Sequence, residues 1–97
     1  MELKVRENRM NVKTHMFNGV RYLIDLDSHV DGLCGAPNSK TGDIHVFAKE
    51  GTQNQLITII HESLHASKWM ASEKDVDRTS KDIGRLLWRL GFRRAEE

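Results

Sequence analysis

His61-Glu62-Ser63-Leu64-His65 sets two imidazoles four residues apart, with a carboxylate directly after the first. On a helix, such positions lie one turn above each other on the same face, so both rings can aim a nitrogen at one point. Zinc takes imidazole nitrogen at about 2.0–2.1 Å in a tetrahedral shell, and this pair would supply half of it. Glu62 sits about 100° around the helix from His61. It therefore flanks the pair without ligating, where a carboxylate can accept a proton from a water on the metal. Two imidazoles and an acid in this order are the pattern of zinc-assisted hydrolysis.

The chemistry requires that this stretch be a helix. Leu56, Ile57, Ile59, Ile60 and Leu64 make the approach almost continuously apolar, which places the segment against the core. An uncompensated Glu beside two histidines would be costly there. Thr52 with Gln55 three residues later resembles a capping box. The helix is expected from about 53 to 69. A second start signal is Ser72 with Asp75 three later, opening a helix over about 73–90. It carries Val76, Ile83, Leu86, Leu87 and Leu90 at helical spacing, and Gly91 fits a left-handed cap after Leu90.

A catalytic zinc needs a third protein ligand, with water in the fourth place. No histidine follows His65. The metzincin pattern would need Gly at 68 and His at 71, where the chain has Lys68 and Ala71. The acids that follow are Glu73, Asp75 and Asp77. On the second helix Asp77 lies about 40° from Glu73, with Val76, Ser80, Ile83 and Leu87 on or beside that face. Asp75 falls near the opposite side with Arg78, Asp82 and Arg89. Helical geometry thus leaves Glu73 or Asp77 facing the first helix.

Here the chain resembles the gluzincin clan of zinc metallopeptidases, whose third ligand comes from a Glu-x-x-x-Asp pattern on the next helix, matched by Glu73 and Asp77. The resemblance implies Glu73 as third ligand and Asp77 as the acceptor that orients one histidine through its other N–H. The likeness is strongest to minimal peptidase domains of the ImmA/IrrE kind and to short HExxH proteins of phages and prophages. It covers roughly residues 43 to 91. One departure is that only residues 66–72 separate His65 from Glu73, fewer than in larger gluzincins, so the chain must reverse quickly. The resemblance also implies a zincin-like core and hydrolysis of a peptide bond, with Glu62 as general base. Tyr22 and His45 can donate a hydrogen bond to an oxyanion, but no residue type assigns that role. In zincins the strand before the active helix commonly lies at the cleft edge. If 43–48 does so, a peptide substrate could add to it as an extra strand.

The first half supplies the scaffold. Asn18-Gly19 is a strong hairpin signal. It joins residues 12–17 to 20–26 and sets Phe17 opposite Val20, His15 opposite Tyr22 and Lys13 opposite Ile24. Residues 35–42 read as a loop and 43–48 as a half-buried strand. About three strands within residues 1–48, then two packed helices, give one α+β domain over 1–97 with a small antiparallel or mixed sheet. His15 and His29 have no partner pattern and are expected on the surface. Trp69 and Trp88 are expected in core or interhelix packing.

Composition narrows the alternatives. Of 97 residues, 38% are hydrophobic and 30% charged, which suits a small globular domain. No apolar run is long enough to span a bilayer, and residues 1–10 contain no signal-type apolar region, so a cytosolic location is expected. Cys34 is the single cysteine, so no internal disulfide is expected, and a small residue near a turn is its plainest role. Lys and Arg total 15 against 14 acids, which does not mark a nucleic-acid binder. Arg85, Arg89, Arg93 and Arg94 are the local excess, where cations complement a helix C-terminus. Beside the peptidase reading stands a metal-stabilised interaction module without turnover.

Overall fold

The computed structural model describes residues 12–34 and 41–94. Residues 1–11, 35–40 and 95–97 lie outside the described residues, and with them most of the expected 35–42 loop and the start of the strand region. The elements are β1 (Thr14–Phe17), β2 (Val20–Asp25), β3 (Gly32–Cys34), β4 (Thr41–His45), α1 (Gln53–Ala66) and α2 (Glu73–Arg89). The class is α+β, with strands first and two helices after. Among the described residues no helix is long and apolar enough to cross a membrane.

Asn18 and Gly19 both take positive φ, 51° and 81°, as a primed two-residue turn demands. The expected register follows: Phe17 pairs with Val20 and His15 with Tyr22, while the Ile24 N–H donates to the Lys13 carbonyl at 2.8 Å. The sheet order is β1-β2-β4-β3. β4 runs parallel to β2 and antiparallel to β3. Two expectations are corrected here. A fourth strand, β3, is present; three residues are too few to print a period in the sequence. The expected strand 43–48 instead spans Thr41–His45, taking in Thr41 and Gly42 from the expected loop. Paired on both sides, β4 cannot accept another strand, and among the described residues the edge strands are β1 and β3.

Alternation gives the sheet two unlike faces. Tyr22, Ile44 and Val46 are buried and meet Ala66 of α1, with Phe17, Ile24 and Ile59 closing the margin. Arg21, Leu23, Asp25, Asp43 and His45 alternate onto the other face.

The Thr52 side chain accepts from the Gln55 N–H at 3.1 Å, which starts α1. Gln55 returns the favour one residue early: its Oε1 accepts from the Gly51 N–H at 3.0 Å. α1 ends at Ala66, three residues before the expected Trp69. Lys68 turns left-handed at φ 62°; its N–H bonds the His65 carbonyl at 2.9 Å, and the Trp69 N–H bonds the Leu64 carbonyl at 3.2 Å. That is a Schellman stop with lysine where glycine is usual, so residue type gives no warning of it. Trp69 is consequently outside the helix and 43% exposed, not in the core.

Ser72 caps α2 by accepting from the Asp75 N–H at 3.1 Å. Gly91, at φ 96°, closes it with bonds from the Phe92 N–H to Leu87 and from the Gly91 N–H to Trp88, each 3.0 Å. The buried positions of α2 are Val76, Ser80 and Gly84, spaced by four. Small residues bring the helices close: a Cβ added at Gly84 would come 2.5 Å from Ile57 Cγ1. The packing face is therefore turned away from the expected apolar series. Val76 is buried and Leu87 partly so, but Ile83, Leu86 and Leu90 are exposed. Trp88 is half-buried beneath the Arg93 guanidinium, 3.3 Å from its ring centroid.

Candidate metal centre

The short link from Ala66 to Ser72 sets the first residue of α2 beside the last turns of α1. Glu73 is that first residue, where the partial positive charge of the helix N-terminus favours a carboxylate. Its two oxygens divide between the two imidazoles: Nε2 of His61 lies 2.9 Å from Oε2, and Nε2 of His65 lies 2.9 Å from Oε1. The rings meet edge to face, centroids 5.0 Å apart at 61°, so both Nε2 atoms can turn to one point. Ligating atoms of all three residues lie within 4.8 Å of one another. A tetrahedral zinc shell spaces its ligand atoms about 3.3 Å apart. A small retreat of the Glu73 carboxylate would open that room, and one carboxylate with two imidazoles is a donor set that suits zinc.

The centre is shielded from the helix side and open on the Glu73 side, with side-chain exposures of 16% for His61 and 70% for Glu73. Glu62 is buried, at 7% exposure. Burial pushes its carboxyl above the ordinary carboxylate value; His61 and His65 pull it back down, while Asp31 and Glu73 push it up. This carboxylate holds a proton more readily than a solvated one, as a group that accepts and returns protons requires. Asp77 approaches the far side of His61, its Oδ1 4.0 Å from Nδ1. That is beyond hydrogen-bond range, and Lys81 already holds the carboxylate at 2.9 Å and keeps its pKa below the usual value.

Of the residues singled out by sequence, the structure brings His61, His65 and Glu73 together, with Glu62 and Asp77 beside them. Asp75, the other acid considered, pairs instead with Arg78 at 2.7 Å. Tyr22 belongs to the core under α1, edge-on to Phe17. His45 lies on the opposite sheet face, its Nδ1 3.1 Å from Asp25. Neither is grouped with the centre, and the oxyanion donor stays unassigned. Asp31 was not foreseen. It accepts the Phe47 N–H just before β3, and its charge reaches Glu62. A lone acid between Val30 and Gly32 carries no spacing that could have marked it. Arg93 bonds the Trp88 carbonyl at 2.8 Å and Arg94 pairs with Glu50 at 3.3 Å, so this part of the arginine excess is engaged within the fold.

Comparison with family models, curated proteins and solved structures finds no match to this chain. The reading of the centre therefore rests on its own residues. The arrangement can hold a divalent cation on three protein atoms, leave one side open, and keep a basic carboxylate next to it.

Proposed function

We propose that this chain is a minimal zinc-dependent metallopeptidase, with His61, His65 and Glu73 as ligands and Glu62 as general base. The observation that carries the reading is the convergence of both Nε2 atoms on the Glu73 carboxylate, with Glu62 buried alongside. Zinc bound there supplies a water acidic enough to ionise near neutral pH and a positive charge for the substrate carbonyl oxygen. Glu62 takes the water's proton and hands it to the departing amine, a role that its burial-raised basicity suits. Asp77 stands 4.0 Å from Nδ1 of His61, and a closure of about 1 Å on metal binding would let it accept the Nδ1 proton and hold that ring in the tautomer whose Nε2 is free to ligate. An extended peptide adds to the outer edge of β3, the edge strand that packs near α1.

The same three ligands join α1 to α2, and this favours a second reading in which metal only fastens the fold. One series of measurements separates the two. Metal analysis and peptide-library cleavage are run on the wild type, Glu62→Gln, His61→Ala, His65→Ala and Glu73→Ala. The peptidase reading expects stoichiometric metal and cleavage in the wild type, metal without cleavage in Glu62→Gln, and loss of metal in the ligand variants. Cleavage unaffected in Glu62→Gln would refute the assigned base. Metal retained in both histidine variants would refute the centre. Metal bound with no cleavage by the wild type would favour the structural reading.

A further inference from the structure

We propose that α2 pairs with α2 of a second copy of this chain, antiparallel, across a seam of Thr79, Ile83, Leu86 and Leu90. These residues follow the 4-3-4 spacing of a two-helix seam, and none belongs to the metal centre. The three large ones are open to solvent: Ile83 is 38% exposed, Leu86 54% and Leu90 64%. α2 already buries a different face, Val76, Ser80 and Gly84, against α1. The helix is thus apolar over a wider arc than the described residues cover, and contiguous exposed apolar surface of this kind marks a contact with another body.

The flanking charges choose the partner and its direction. In heptad terms Thr79 and Leu86 take d, Ile83 and Leu90 take a, and Asp82 and Arg89 take the two g positions. Both charged residues are exposed, and neither has an ionic partner among the described residues. When two copies lie antiparallel, Ile83 of each meets Leu86 of the other and Thr79 meets Leu90, and like flank meets like flank. Asp82 of each copy then faces Arg89 of the other, giving two symmetric opposite-charge pairs at a two-fold contact. A parallel arrangement would set these g positions against e positions, which are Ser80 and Leu87 and already lie on or beside the α1 contact. The single sequence of α2 is self-complementary in one direction only. The seam spans about 16 Å of helix, short for a permanent dimer, so the association depends on concentration.

Sedimentation equilibrium of the full chain, with and without chelator, tests this. The wild type is expected to move from the monomer mass toward twice that mass as concentration rises. Leu86→Glu, at an exposed position that leaves the fold intact by circular dichroism, is expected to stay monomeric. Asp82→Arg and Arg89→Asp should each weaken association roughly tenfold by placing like charges opposite, and the double variant should recover it. A wild type monomeric at every concentration overturns the proposal. So does a dimer indifferent to Leu86→Glu, or single reversals that the double variant fails to rescue.

Discussion

Gly84→Ala isolates how closely the two helices must approach. In an exposed helix interior, replacing glycine by alanine stabilises by about 0.5–1 kcal/mol. Here the new methyl would sit 2.5 Å from Ile57 Cγ1 and 3.3 Å from Ile57 Cα. Carbon atoms rest at about 3.5–4.0 Å, so the side chain must retreat by about 1 Å and the α1 backbone must yield slightly. Overpacking of that kind costs about 1–3 kcal/mol. The clash outweighs the propensity gain, and the expected net loss is about 1–2 kcal/mol, or roughly 5–15 °C in melting temperature for a domain this small. Thermal denaturation followed by circular dichroism reads it. Metal titration reads a second effect, since pushing α2 away moves Glu73 from His61 and His65 and should weaken uptake. Adding Ile57→Ala removes the nearest obstruction, so the double variant should be less destabilised than the two single losses added, by about 0.5 kcal/mol or more. A higher melting temperature for Gly84→Ala would show that the helices do not meet at this point, and the packing argument would fall.

Three further outcomes can be checked on the same samples. Lys68→Gly should raise stability by about 0.5–1 kcal/mol in denaturant melts, because lysine at φ 62° bears a strain that glycine does not; a loss would refute the Schellman stop. Asp77→Asn should weaken metal affinity by roughly tenfold, the low end for an orienting partner, because its oxygen stands 4.0 Å from His61 Nδ1; an unchanged titration isotherm would remove Asp77 from the centre. In metal-free protein, Glu62→Gln should be more stable than wild type near neutral pH and equal to it in acid. Burial raises the native pKa of Glu62 above the ordinary 4.5, so the folded chain holds its proton more tightly than the unfolded one. That stability is fully present below the unfolded value and is lost as pH rises through the native one. A variant advantage that grows toward acid pH would contradict the sign.

Elements with strong local chemistry were readable from sequence, and those made by long-range pairing were not. Asn18-Gly19 dictated its own turn and, with it, the β1–β2 register. Thr52 and Ser72 announced both helix starts because a short hydroxyl side chain satisfies an end N–H directly. His61 and His65 were visible as a pair because four residues make one turn, and the facing of Glu73 followed from the second cap. β3 was invisible because three residues carry no period, and nothing local says that β4 returns between β2 and β3. Lys68 hid the end of α1, since the left-handed position belongs by habit to glycine. The exposed Leu86 and Leu90 look the same in sequence as buried ones; Gly84 and Ser80 decide which arc of α2 meets α1, and their influence is tertiary.

His65 and Glu73 are joined by one tight reversal, and His61 stands a single turn earlier, so the whole ligand set is local in the chain. Bringing such neighbours together costs little loop entropy and takes microseconds or less. The parallel pairing of β2 with β4 must first gather residues about twenty positions apart, across the excursion through β3. From these separations the helical hairpin is expected to form before the sheet, and a cation captured at that stage would serve as a nucleus on which the rest of the protein condenses.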